Sequence, residues 1–185
     1  MTDTARTDDF SGLPGNLMMW ILILSELAVF GVAFIGFAVA RAFDPAIFDA
    51  GQAHLDRLLG GVNTLVLVTS GYIAALGVEA GRKGLRAKAS RLFVAASAVG
   101  SVFLVVKLVE YSATLGAGYT IDSDSFHALY FMLTGFHALH VVFGIGLLLV
   151  VARWNSMENL ETGAAFWHMV DLIWVILYPI VYLIR

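Results

Sequence analysis

Five long apolar stretches constrain this sequence more than any other feature. They cover about residues 17–40, 58–80, 92–115, 126–152 and 164–184. A helix that crosses the hydrocarbon layer of a membrane needs ~20 mostly apolar residues, and each stretch is long enough. None of them shows the alternation that strands of a membrane β-barrel require. The sequence therefore predicts an all-α polytopic membrane helix bundle with five transmembrane helices, preceded by a polar head at residues 1–16.

Composition supports a membrane protein and excludes several cofactors. The chain is 59% hydrophobic and only 14% charged, whereas a soluble domain has about 25% charged residues. Cysteine is absent, which excludes disulfides, thiolate-bound zinc, iron–sulfur clusters and covalently attached c-type haem. The net charge of −3 gives no basic surface for nucleic acid, so we expect no such partner.

The charges of two connectors predict how the bundle is oriented. Residues 81–91 contain five bases and no acid, whereas residues 116–125 contain Asp122 and Asp124 and no base. Lys and Arg are enriched in cytoplasmic loops, so the first connector is expected in the cytoplasm. Five spans then place the N-terminus in the cytoplasm and the C-terminus in the periplasm. A site for anionic lipid is the alternative interpretation of the basic connector.

Ionisable side chains interrupt the predicted spans. A charge at the centre of a bilayer costs ~2.5–3.5 kcal/mol on insertion scales, so these groups are expected to face other helices, a partner subunit or trapped water. Together with one asparagine they form a predicted buried polar network, whose members are Glu26, Asn63, Lys107, Glu110, His137, His140, His168 and Asp171.

Six of these residues form pairs at a spacing of three, which places both members on one face of a helix. The pairs are Lys107 with Glu110, His137 with His140, and His168 with Asp171. The first is most simply an ion pair, with a proton relay as the alternative. In the third, the carboxylate could orient the imidazole or bind another helix.

Glu26 has no partner three or four positions away. Its partner must therefore lie on another helix, or its carboxyl group is protonated.

Two other classes of protein remain as alternatives. A haem with two histidine ligands would need His140 and His168, since His137 and His140 lie one turn apart on one helix. The Glu-x-x-His motif of di-metal carboxylate bundles is absent. A small proton-coupled transporter could use the same charges, although the paired broken helices typical of transporters are missing.

Stripes of small residues predict which faces of the first two helices pack closely. On the first helix the stripe is Leu22, Glu26, Val29, Ala33, Gly36 and Ala40, and on the second it is Gly60, Asn63, Leu67, Ser70, Ala74 and Gly77.

Five segments carry a resemblance to a known family. They are WILILSELAVF at 20–30, GVNTLVLVTS at 61–70, KLVEY at 107–111, YFMLTGFHALHVVFG at 130–144 and FWHMVDLIW at 166–174. Their order and content resemble subunit III of the haem–copper oxidases. The resemblance covers about residues 13–185, and the Thr-Gly-Phe-His-x-x-His and Trp-His-x-x-Asp-x-x-Trp segments are its most specific parts.

The resemblance implies an accessory subunit of the bacterial inner membrane, without catalytic, cofactor or metal-binding residues. It would pack on the catalytic subunit I, which would hold the haem and copper. In this family the subunit assists proton uptake and sustained turnover and holds phospholipid. The family residues carried over are Glu26, Asn63, Glu110, His137, His140, His168 and Asp171.

The number of spans and the length of this chain bear on which branch of the family it resembles. The typical form has seven spans, and its first two form a V-shaped lipid cleft with the rest. This chain starts where the third span would be, which puts that cleft in doubt. Five-span forms of the family occur in quinol oxidases and in NorE-type proteins associated with nitric oxide reductases. The length and short head of this chain make it most similar to the NorE type, so a quinol oxidase and a nitric oxide reductase are the alternative partners.

Overall fold

The computed structural model describes residues 17–184, which are helical almost throughout. The polar head predicted at residues 1–16 lies outside the described residues. The helices are α1 (Leu17–Phe43), α2 (Pro45–His54), α3 (Arg57–Arg82), α4 (Arg86–Gly116), α5 (Ser125–Arg153) and α6 (Met157–Tyr178), and a π-helical turn, Pro179–Leu183, extends α6.

Five of these helices are long and apolar enough to cross a membrane, which confirms the all-α, five-span prediction. The fifth span begins earlier than predicted, at Met157 instead of residue 164. Ser156 caps α6 by accepting a hydrogen bond from the backbone N–H of Asn159. The polar first turns of α6 are therefore helical, although they do not belong to the apolar stretch.

Helices α3 to α6 form a four-helix bundle. In it α3 contacts α4 and α6, and α5 contacts the same two helices. The predicted small-residue stripe on α3, from Gly60 to Gly77, is buried along its length. Small side chains let membrane helices approach closely, so this prediction is confirmed.

Helix α1 lies outside the four-helix bundle, against α5 and α6. Its buried stripe consists of Ile23, Phe30 and Phe37, one residue in every two turns. The small-residue stripe predicted for this helix is wrong, because a Cβ at Gly36 would meet nothing within 4 Å and Val29 is 50% exposed. Large rings, not close backbone contact, attach α1 to the bundle.

The sequence did not predict α2, which is too short to span a membrane. Pro45 occupies its first turn, where the missing N–H of proline has no helical partner in any case. Phe48 and Gln52 are buried, and the Gln52 amide donates a hydrogen bond to the carbonyl of Val181 at 2.9 Å. Helix α2 therefore packs against the extension of α6.

The turn after α6 changes the direction of its last side chains. Pro179 has no N–H to donate, and the N–H of Ile184 bonds to the Pro179 carbonyl at 2.9 Å across five residues. This wider turn leaves Tyr182 fully buried. Arg41 at the end of α1 binds the Ile184 carbonyl and the Asp49 carboxylate, so α1, α2 and this turn are joined.

Candidate functional site within the membrane bundle

The most enclosed charges form an ion pair on α4. Lys107 and Glu110 are only 2% and 4% exposed, and the Lys107 Nζ lies 3.2 Å from Glu110 Oε2. The ammonium also donates to the hydroxyls of Tyr182 at 2.7 Å and Tyr130 at 3.2 Å. Both hydroxyls donate to Glu110 Oε1, at 2.5 Å and 2.8 Å. Every polar group in this cluster, which we call the Lys107 cluster, has a partner.

Aromatic rings surround the Lys107 cluster. The ammonium lies 5.3 Å from the Trp174 ring centroid and 5.2 Å from that of Tyr111. Rings at this distance attract a cation through their negative faces. Sequence reasoning found the lysine and the glutamate but missed Tyr130, Tyr182 and Trp174, which come from other helices.

His137 and Asn63 are buried deeper in the bundle. The His137 Nε2 donates to the Val170 carbonyl at 3.1 Å, and its ring packs between Phe103 and Trp174. The Asn63 amide reaches the carbonyl of Phe103 at 3.4 Å. Among the described residues, His137 Nδ1 and Asn63 Oδ1 have no hydrogen-bond partner.

The structure brings Glu26 and His140 together between α1 and α5. Glu26 Oε2 lies 3.1 Å from His140 Nε2, and the groups are 23% and 14% exposed. His140 Nδ1 faces the Phe136 carbonyl at 2.9 Å, and because a carbonyl only accepts, Nδ1 carries a hydrogen. A hydrogen bond between His140 Nε2 and Glu26 Oε2 then requires a hydrogen on one of these two atoms.

His168 and Asp171 on α6 do not form a hydrogen bond with each other. Their nearest atoms are 3.8 Å apart, too far for a hydrogen bond, and Asp171 Oδ1 has no partner among the described residues. The carboxylate packs on Gly71, where an added Cβ would approach it to 2.1 Å.

Three members of the predicted buried network are less buried than expected. Glu26 and His140 are half-buried, and His168 is 47% exposed. The large side chains of Trp167 and Val170, on either side of His168, occupy the inner face of α6. The imidazole is therefore turned toward the groove between α3 and α6, next to Ala164 and Ala165.

Both ring nitrogens of His140, one of the two histidines that a haem would need, contact protein groups: Nδ1 the Phe136 carbonyl and Nε2 the Glu26 carboxyl. Within residues 17–184 no three His, Asp or Glu side chains lie close enough to share a metal ion.

A second polar group lies where α5 begins, and sequence reasoning missed it. Asp124 accepts hydrogen bonds from the backbone N–H of His127 at 2.9 Å and from its Nδ1 at 2.7 Å. Partial burial raises the pKa of Asp124, but the hydrogen bonds from His127 outweigh burial and hold the pKa below its usual value. Tyr119 stacks on the His127 ring at 4.4 Å and contacts His54 through its hydroxyl.

The fold and its paired charges define a multi-pass membrane helix bundle. The sequence profile of the family described as Cytochrome c oxidase subunit III matches residues 11–184. The chain therefore belongs to the cytochrome c oxidase subunit III family, as the resemblance predicted.

Individual relatives agree with the family. The chain is 32% identical to cytochrome c oxidase subunit 3 of a Synechocystis species, over 89% of this chain and 73% of the relative. It is 30% identical to cytochrome c oxidase subunit 3 of Thermostichus vulcanus, over 91% and 86%. A protein named probable cytochrome c oxidase subunit 3 of Mycobacterium tuberculosis is 27% identical, over 89% and 85%.

These relatives indicate a non-catalytic subunit III of a haem–copper oxidase. The alternative branch associated with nitric oxide reductases is not favoured. Membership of the family implies association with other oxidase subunits, and the five spans make the chain a multi-pass membrane protein.

Proposed function

We propose that this chain packs on the catalytic subunit I of a cytochrome c oxidase in the bacterial inner membrane and supports its assembly and sustained turnover. The Lys107 cluster carries this proposal. Its lysine, glutamate and two tyrosines bind one another, which suits a group that holds helices together. We propose that haem and copper belong to the partner and that this chain holds neither.

Docking on a larger subunit is supported by the apolar surface of the bundle. Helix α1 is the least enclosed span, and Ile21, Val32 and Ile35 on it are each more than half exposed. Some of this surface meets lipid, and we propose that the catalytic subunit covers the rest.

The Glu26–His140 pair supports a role in lipid binding and proton uptake. It lies in an open cleft of about 330 Å³, whose walls include Leu22, Phe143 and Phe166. An apolar cleft with a polar pair in its wall suits the acyl chain of a lipid. We propose that the cleft holds phospholipid by its acyl chain and that the pair takes up and releases a proton.

The orientation predicted from the connectors is part of the proposal. Arg86, Lys88 and Arg91 are exposed at one end of the bundle, where Arg82 binds Glu161 and Lys83 binds Glu79. We propose that this basic end faces the cytoplasm and that α2 lies on the periplasmic side.

Co-purification from native membranes tests the proposed function. A tagged chain extracted in mild detergent should bring down a larger membrane subunit that contains haem, in a fixed ratio across several detergents. An unrelated five-span protein with the same tag is the matched control. Recovery of the chain alone in every detergent would contradict the proposal.

A further inference from the structure

A cavity of about 220 Å³ lies at the α2 end of the bundle, between α2, α3, α4 and the start of α5. A single water molecule needs only ~10–15 Å³ of such volume, so the cavity has room for several. Its polar wall residues are His54, Asp56, Glu110, Thr114, Tyr119 and His127. His54 and Asp56 are exposed at its rim, so the cavity adjoins the aqueous phase.

His127 provides an independent sign that something polar occupies the cavity. The residue is 1% exposed, and its Nδ1 is engaged by Asp124. Its Nε2 is buried and has no hydrogen-bond partner among the described residues. Buried polar atoms are almost always hydrogen-bonded to protein or to ordered water, so this nitrogen calls for a partner that the protein does not supply.

Glu110 connects the cavity to the Lys107 cluster. The residue lines the inner part of the cavity and binds Lys107 on its own helix, Tyr130 on α5 and Tyr182 after α6. On the cavity side the titratable groups are His54 from α2, Asp56 before α3, Tyr119 from the loop after α4, and His127 from α5. Nothing in the proposed function assigns a role to these four residues.

We propose that this cavity holds a water cluster that hydrogen-bonds His127 Nε2 and connects Glu110 to the aqueous phase at the α2 end. Water at Glu110 lets the protons of the Lys107 cluster exchange with that side of the membrane. Protons pass between Glu110, its hydroxyl partners and water, and the cluster returns to the same charge after each exchange.

Hydrogen exchange at Lys107 tests the inference, since the chain has only three lysines. Lys83 and Lys88 are exposed and serve as internal references. With the full chain labelled with ¹⁵N-lysine in bilayer discs, solid-state NMR follows exchange of each ammonium into D₂O. Ala113 lines the cavity, and Ala113→Phe places a ring in the space that water would occupy. Exchange at Lys107 should then slow by roughly tenfold or more, because water reaches the Lys107 cluster only when the helices around it open locally.

Leu115→Phe is the matched control, because Leu115 lies on the same helix, is 52% exposed and does not line the cavity. It should leave exchange at Lys107 unchanged. Equal rates in the Ala113→Phe variant and the unsubstituted chain would overturn the inference.

A measurement without any substitution covers the case in which Ala113→Phe does not fold. With ¹⁵N-histidine labelling, water-edited NMR should show a contact between water and the His127 ring. His137, buried away from the cavity, should show none. A His127 signal without water contact would also overturn the inference.

Discussion

Helix α1 and the four-helix bundle are both built from apolar membrane helices, but they use their glycines differently. In the bundle, a Cβ at Gly100 or Gly144 would come within 2.6 Å and 2.7 Å of the Trp167 ring. On α1, a Cβ at Gly31 or Gly36 would meet no atom within 4 Å. The bundle is therefore closely packed at these two inward-facing glycines, whereas Gly31 and Gly36 of α1 face open space.

The carboxylates of the two regions differ in the same way. Glu110 in the bundle has three partners and is 4% exposed, whereas Glu26 on α1 has one and is 23% exposed. The Lys107 cluster satisfies its own charges, so this part of the bundle has the features of a stable core. Helix α1 leaves much of its surface for lipid or another subunit.

The largest effect is expected when the ion pair of the bundle is broken. Lys107→Met leaves Glu110 buried without its cation, and loss of one partner from a buried pair destabilises a protein by about 3–5 kcal/mol. Unfolding in mixed detergent micelles, followed by circular dichroism, should show this loss. Lys83→Met, which removes an exposed ion pair with Glu79, is the control and should change stability by about 0–1 kcal/mol.

Glycine substitutions test the packing difference directly. Gly100→Ala forces the Trp167 ring to shift, and overpacking of this kind costs about 1–3 kcal/mol. Gly36→Ala on α1 should cause no loss, because the new methyl group meets open space. Equal destabilisation by the two variants in the same unfolding measurement would remove the distinction between the regions.

The capping carboxylate of α5 should produce a smaller, pH-dependent effect. Loss of an N-cap costs about 0.5–2 kcal/mol, so Asp124→Ala should be less stable at neutral pH. The pKa of Asp124 is lower in the folded chain than its ordinary value of 3.8, so its stabilisation is present above that value and is lost as the pH falls through the folded pKa.

The stability difference between Asp124→Ala and the unsubstituted chain should therefore be constant from neutral pH to mild acid and shrink in stronger acid. A difference that stays the same under strong acid would show that Asp124 does not act through its charge.

The smallest effect on stability is expected at Glu26. Hydrogen bonds between membrane helices average about 0.6 kcal/mol, so Glu26→Gln should barely change unfolding of the isolated chain. In the assembled oxidase the same variant should lower complex yield or the duration of turnover more than the initial rate. A large loss of stability in the isolated chain would show that α1 belongs to the core.

The sequence predicted the parts of the fold that depend on hydrophobicity and local spacing. The five spans, the packed stripe on α3 and the pairing of Lys107 with Glu110 all follow from residues close together in the chain. The sequence also predicted that Glu26 contacts another helix, but it did not predict which residue is the partner. His140 is 114 residues away in the chain, so no short-range pattern connects it with Glu26.

The features that the sequence did not predict depend on contacts between residues far apart in the chain. The π-helical turn after Pro179 decides which way Tyr182 points, and the neighbours of His168 turn it away from the core. Helix α2, with 10 residues, is too short to stand out in the sequence as a membrane span. The cavity next to His127 arises only where four separate elements meet.

The central claim is that the buried charges hold the bundle together and take no part in electron transfer. The double variant Lys107→Met with Glu110→Gln tests it most directly, because it removes both charges and leaves neither unpaired. The account predicts that the assembled oxidase with this subunit keeps its initial turnover per haem close to that of the unsubstituted complex. An assembled complex with full haem content and an immediate, severe loss of initial turnover would contradict it.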